Sequence, residues 1–314
     1  MAVNEEKSFA QNRINWFPGH MAKTERQMQK SISLVDLVIE VVDARIPVSS
    51  KNPYLDKLWS RRPRIIALNK ADLADPEETA RFRKWYEAQG FGTIAIDSLH
   101  GKGMRDIQPL AQKLCADKLQ REKERGREGR RLRLMITGIP NVGKSTLINR
   151  LTGRSEAAKT GNKPGVTKHE QWIRIGSDME LLDTPGILWP KFEDQETGYR
   201  IACIGSISED VVDSYTVSLK LLDFIRPKYS KELAARYRFT DDELELTAEE
   251  LLPVLAKHRG FVLGGGRPDL ERAANTLLDD YRSGRIGRIT LEQCPEILPE
   301  EAARTSADKP EEEK

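Results

Sequence analysis

The segment Gly138-Ile139-Pro140-Asn141-Val142-Gly143-Lys144-Ser145 fits G-x-x-x-x-G-K-[ST], the loop that cradles phosphates at the start of a helix. Asn69-Lys70-Ala71-Asp72, a tetrad of the kind that reads guanine, lies upstream of it. In the ordinary order a domain of this kind meets the phosphate loop first and the base-reading tetrad last. Here the order is reversed. One site can form from both only if the chain threads the same parts in rotated order, as a circular permutation. That requirement leaves very few folds open.

The hydrophobic pattern agrees. Leu34 to Val42 is a continuous apolar β-type run broken only by Asp36 and Glu40, Arg64 to Leu68 is a second that ends at the tetrad, and Gly92 to Ile96 is a third. Asn52 to Arg61 and Pro76 to Gln89 read as intervening helices, the second opened by Asp75-Pro76 as cap and first-turn proline. Gly103 to Leu119 reads as one helix, followed by a charged run, Asp117 to Arg133, expected to be a solvated helix end and linker that joins the original chain ends. A strand at Leu132 to Ile136, the phosphate loop, a helix from Lys144, and strands at Glu170 to Ile175 and Met179 to Leu182 complete the set. The fold class is therefore α/β: a circularly permuted P-loop domain with a mostly parallel sheet and helices on both faces. From about Thr197 the periodicity turns helical, with Val217 to Ile225, Ser230 to Tyr237, Thr247 to Lys257 and Asp269 to Ser283 as separate helices of an all-α C-terminal domain.

Each motif has a chemical reason. Asn141, Val142, Gly143, Lys144, Ser145 and Thr146 surround the position of the phosphates: glycines let backbone N–H groups turn toward them, and Lys144 reaches the β- and γ-phosphates. Ser145 offers a hydroxyl to Mg²⁺, and Asp183 in Asp183-Thr184-Pro185-Gly186 holds the same ion through water. Gly186 brings its N–H close to the γ-phosphate. Asn69, Lys70 and Asp72 select guanine, because Asp72 accepts from two donors on one edge of that base and adenine would leave the carboxylate unpaired. Ser98, in Ile96-Asp97-Ser98, stands either in a second base-contacting loop or in a plain strand-to-helix turn. The nucleotide is thus GTP or GDP. Ile187 follows Gly186 where many G proteins use glutamine to orient the attacking water, so slow intrinsic hydrolysis is expected.

The motif order, with Trp16-Phe17-Pro18-Gly19-His20-Met21, Val42-Asp43-Ala44-Arg45-Ile46-Pro47, His258-Arg259-Gly260-Phe261 and the Gly264-Gly265-Gly266 to Ala274 stretch, resembles the circularly permuted ribosome-assembly GTPases over most of the chain. The resemblance implies a GTP hydrolase whose partners are the large ribosomal subunit or its precursor and ribosomal RNA, acting as a monomer off the ribosome. Four segments are expected: 1–25 with the Phe-Pro-Gly-His-Met motif, the permuted GTPase domain 26–196, a helical domain 197–298 whose RNA binding the resemblance implies, and a tail 299–314, rich in Glu, Ala and Pro without apolar anchors and so expected to be disordered. His20 matches the family's proposed catalytic histidine; a conformational or packing role is its other reading. Thr167, in a Pro-Gly setting like the family's, is expected to complete the Mg²⁺ shell, a bystander loop threonine being the alternative. Asn141 resembles the asparagine of GTPases that use K⁺ in place of an arginine finger, or it bonds its own turn. His20, Asn141, Lys144 and Thr167 are accordingly the candidates for catalysis.

Composition bears on partners. A net charge of +2 does not announce nucleic acid, so distribution must: Arg226, Lys228, Lys231, Arg236 and Arg238 cluster with Tyr229 and Tyr237, and Arg282, Arg285 and Arg288 form a second group, suited to phosphate contact and stacking or simply a solvated face. No run approaches the roughly 18 apolar residues of a membrane span. Met1 to Gln11 has no apolar block and carries Glu5 and Glu6, which argues for the cytoplasm. Cys115, Cys203 and Cys294 form no disulfide or zinc pattern. Two other classes remain: a GTP-dependent interaction module for a non-ribosomal protein or membrane surface, and a metabolic kinase, in which the tetrad would have no role.

Overall fold

The computed structural model describes residues 33–53, 56, 59, 62–127, 129–153, 172–182, 194–207 and 212–296. They fall into two units, one spanning 33–182 and rejoined by 292–296, the other spanning 194–291.

The first unit is a six-stranded sheet in the order β3-β2-β1-β4-β6-β5. Strands β1 (Leu37–Asp43), β2 (Arg64–Asn69), β3 (Gly92–Ala95), β4 (Leu132–Thr137) and β6 (Met179–Leu182) run parallel, and β5 (Trp172–Ile175) is an antiparallel edge. All of β1 and β2 is buried, which is why both read as unbroken apolar runs. β1 sits centrally, beside the strand that carries the tetrad and the strand that carries the phosphate loop. The rotated order of motifs is in this way restored to neighbours in space.

Glu40 interrupts the apolar run at no exposure, between Val38 and Val42. Burial raises its pKa, while Arg64 at 3.1 Å and the Asn52 N–H at 2.9 Å supply its partners. Helix α1 (Pro76–Ala88) begins where Asp75 accepts from the N–H groups of Glu77 and Glu78, a cap worth about 1 kcal/mol. Its Phe82 and Tyr86 cover Val42, Ile66 and Leu68. Of the helix expected at 52–61, Asn52, Pro53, Asp56 and Trp59 are described; Pro53 and Asp56 are helical, whereas Asn52 and Trp59 are not.

The single helix expected over 103–119 is instead a 3₁₀ turn followed by α2 (Ile107–Leu114) and α3 (Ala116–Glu124), parted where Cys115 leaves helical geometry. The run from 117 to 133 is more than a solvated linker. Buried Asp36, just before β1, takes Lys118, Arg130 at 3.2 Å and the Arg133 N–H at 2.9 Å, while Glu122 takes Arg127 at 3.2 Å and Arg130 at 3.3 Å. Charges that look like solvent-facing filler clasp the join to the sheet. The phosphate loop then leads into α4 (Lys144–Thr152).

Among the described residues of the second unit the regular structure is helical apart from a β-bridge between Val262 and Pro268: α5 (Gln195–Cys203), α6 (Ser214–Tyr237), α7 (Asp241–Leu244), α8 (Ala248–His258) and α9 (Leu270–Arg282). α6 joins the two helices expected at 217–225 and 230–237, and Pro227 marks the seam as a kink with Tyr229 at non-helical angles. It packs on α5, α8 and α9 through Leu221, Leu222, Ile225 and Leu233. Thr240 and Thr247 each close a capping box, with Glu243 and Glu250. No described helix is long and apolar enough to cross a membrane. The tail 299–314 lies outside the described residues.

Candidate functional site

β2 ends on Asn69, which is 1% exposed and bonds in two directions. Its Nδ2 donates to the Val142 carbonyl at 2.7 Å, and its Oδ1 accepts from the Ser98 N–H at 3.0 Å. The tetrad, the Ser98 loop and the phosphate loop therefore meet on one side chain. Lys70 adopts the left-handed backbone region (φ 58°) and donates through Nζ to the Asn141 carbonyl at 2.7 Å. Asn141 is also left-handed, at φ 60°. Two such non-glycine residues in contact mark a place where the surroundings dictate the backbone.

Two glycines have steric reasons to be there. A Cβ on Gly143 (φ 97°) would sit 2.2 Å from Asn69 Nδ2, and one on Gly138 (φ 146°) 2.3 Å from the Val41 carbonyl oxygen. A side chain at either position would push the phosphate loop away from the base-reading strand or from β1. Gly143 also caps α4, so Lys144, Ser145 and Thr146 lie in the first helical turn, where unpaired N–H groups face outward. Lys144 Nζ donates back across the loop to the Ile139 carbonyl at 2.5 Å, and burial pushes its pKa down to about 8.

Asp72 is partly exposed, with its carboxylate within 4.8 Å of the Asp97 carboxylate and the His100 imidazole. Asp97 accepts from the His100 N–H at 2.9 Å and lies 2.7 Å from its Nδ1. Burial raises the Asp97 pKa, but the His100 bonds outweigh it and the net shift is downward. Neither Asp97 nor His100 was a sequence candidate; both flank Ser98 in the chain, the one signal available. His20, Thr167, Asp183 and Gly186 lie outside the described residues, as does Ile187.

The helical unit changes the reading of its basic residues. Arg236, Arg285 and Arg259 converge on the carboxylate of Asp280, at 2.7, 2.5 and 3.4 Å, and the Tyr237 hydroxyl donates to it at 3.1 Å. Arg282 donates to the carbonyls of Cys203 and Ala202, each at 3.1 Å. Tyr229 and Tyr237 are 5% and 1% exposed, so neither offers a ring face for stacking. The expected clusters thus shrink. Lys228, Lys231, Arg238 and Arg288 are exposed, and so is Arg285 although it is bonded to Asp280, whereas Arg236 and Arg282 are half-buried and hold helices together.

Comparison with known proteins agrees with this architecture. The family model described as 50S ribosome-binding GTPase matches residues 133–248. Ribosome biogenesis GTPase A from Priestia megaterium is 44% identical over 90% of this chain and 98% of its own length, and that of Thermotoga maritima 30% identical over 93% and 99%. Mitochondrial ribosome-associated GTPase 1 of Mus musculus is 33% identical over 90% and 91%. Among solved structures, GDP-bound YlqF of T. maritima superposes with a TM-score of 0.62 at 26% identity, covering 85% of this chain and 98% of that one.

Proposed function

We infer the function from one premise: this chain belongs to the ribosome biogenesis GTPase A family. It is a circularly permuted GTPase that hydrolyses GTP to GDP and phosphate, and its role lies in ribosome assembly. Beyond that, our reading is that it binds the large ribosomal subunit or its precursor in the GTP form, through ribosomal RNA, and leaves after hydrolysis. It does so in the cytoplasm.

The observation that carries this reading is the meeting of Asn69 and Lys70 with the carbonyls of Val142 and Asn141. Bonds across some seventy residues of chain bring a base-reading strand and a phosphate loop into direct contact, as one shared nucleotide would require. Asp72 would read the guanine edge, with the Ser98 loop beside it. Lys144 would exchange the Ile139 carbonyl for phosphate oxygens. The Ser145 hydroxyl, in the first turn of α4, is the hard oxygen donor that Mg²⁺ takes, with Asp183 and Thr167 as the expected further ligands. When bound, the ion would offset the negative charge of the phosphate oxygens.

With Ile187 in place of a glutamine, hydrolysis by the protein alone is slow. The large subunit supplies or orders the missing group, for which His20 and a K⁺ held at Asn141 are the candidates. Co-sedimentation with large-subunit precursors tests the switch: retention with a non-hydrolysable GTP analogue and loss with GDP support it. Equal binding in both states, or turnover unchanged by added subunit, would overturn it. Turnover equal in matched KCl and NaCl buffers removes K⁺.

A further inference from the structure

The Asp43-Ala44-Arg45 segment has no part in the chemistry described above, yet it touches the residues that do. Asp43 ends β1 with no exposure. Its Oδ1 accepts from the Arg45 N–H at 3.1 Å and from Arg45 Nε at 2.9 Å. Its Oδ2 accepts from Arg45 Nη2 at 2.8 Å and lies 3.0 Å from Lys70 Nζ. The backbone is held as well: the Asp43 N–H donates to Ser50 Oγ at 3.0 Å, and the Ala44 N–H donates to the Asn69 carbonyl at 2.8 Å. Lys70 Nζ is therefore gripped from two sides, by this carboxylate and by the Asn141 carbonyl.

A buried ion pair adds little stability over an apolar replacement of the same shape, so stability alone does not account for one here. Direction does. The planar fork of Arg45 occupies one side of the carboxylate and fixes its rotation, which leaves Oδ2 facing Lys70. Lys70 needs such a hold, since a left-handed backbone is disfavoured for a residue with a side chain.

We propose that Asp43, locked by Arg45, is a positioning residue for guanine nucleotide binding: it sets Lys70 on the Asn141 carbonyl and so keeps the base-reading and phosphate-binding segments at the spacing one nucleotide requires. The proposal rests on the reading that residues 69–72 and 138–145 share a nucleotide. Asp43 itself touches no ligand; it acts through Lys70.

The test is a double-mutant cycle on fluorescent-GDP affinity with wild type, Asp43→Asn, Lys70→Met and the double variant, each also melted without nucleotide. Each single change is expected to weaken binding about tenfold, the cost of losing a charged hydrogen bond, and the double variant to bind no worse than Lys70→Met alone. A purely structural Asp43 would lower the melting temperature and add its effect to that of Lys70→Met; that additivity overturns the proposal, as does Asp43→Asn binding within about twofold of wild type. Normal binding by Lys70→Met overturns the nucleotide-site reading itself, and the proposal with it. Should Asp43→Asn not fold, Asp43→Asn/Arg45→Met, which removes the buried pair together, takes its place with the same outcomes.

Discussion

Asp43 and Asp280 are both buried aspartates ringed by cations, one in each unit, and they do opposite things with their charge. Asp43 takes one arginine and uses its remaining oxygen to aim a lysine at the phosphate loop. Asp280 takes three arginines and a tyrosine and spends their bonds within its own unit, although Arg285 stays exposed. In the GTPase unit a carboxylate prepares a cation for a ligand, and in the helical unit a carboxylate withdraws cations from one. Each carboxylate takes four donors, and whose they are decides which: Arg45 supplies three of Asp43's and leaves the fourth place to Lys70, whereas Asp280's come from four separate residues of its own unit.

The comparison breaks most visibly at Asp280. Asp280→Asn leaves three arginines short of a counter-charge and should destabilise the helical unit by about 3 kcal/mol or more, read by denaturant unfolding, with GDP affinity within about twofold of wild type. Burial raises the Asp280 pKa, but Arg236 and Arg285 outweigh it and hold it below the ordinary value. Its contribution is therefore present above about pH 4 and lost as pH falls through the lowered folded value.

Gly143→Ala attacks the junction that Asp43 serves. A Cβ 2.2 Å from Asn69 at a φ of 97° should weaken GDP binding by about 2–3 kcal/mol, roughly a hundredfold, by calorimetry. Little change would mean the two segments do not share a nucleotide.

Lys144 sharpens the contrast through pH. Burial brings its pKa down to about 8 in the nucleotide-free protein, so above that value it is neutral, and bound phosphate must restore its proton. Affinity for GDP should be flat below pH 8 and fall by up to about tenfold per unit above it. A Lys144→Met variant should lose that slope together with most of its affinity.

The smallest effects are expected on the helical surface. Lys231→Gln and Arg238→Gln, both exposed, should each weaken RNA binding a few-fold and lower the salt slope by about one. Arg236→Gln should lower the melting temperature and leave the slope alone, since its charge is spent on Asp280. A reversed pattern would return Arg236 to the RNA.

Much of this was legible along the chain. The motif order alone required a permuted parallel sheet, because Gly138 to Ser145 and Asn69 to Asp72 each carry a backbone demand that only a strand end can meet. The helical unit followed from periodicity, and the two helices read at 217–225 and 230–237 meet at a kink by Pro227 where Tyr229 leaves helical geometry. The break at Cys115 and the clasp on Asp36 were not visible, since both depend on what α3 meets across the join.

Residue type, spacing and order therefore determined the architecture, the base and phosphate motifs and the family, because those are carried by local backbone requirements and by the chemistry of single side chains. Which charges are free was decided by the tertiary structure. Arg236 and Lys231 read alike in the chain, and Glu40, Asp43 and Asp280 read as three ordinary acids. The acids acquired their roles from partners 24 (Arg64 for Glu40), 27 (Lys70 for Asp43) and 44 (Arg236 for Asp280) positions away, and from the Arg45 fork two residues on, once packing had excluded water and left the nearest opposite charge as solvent.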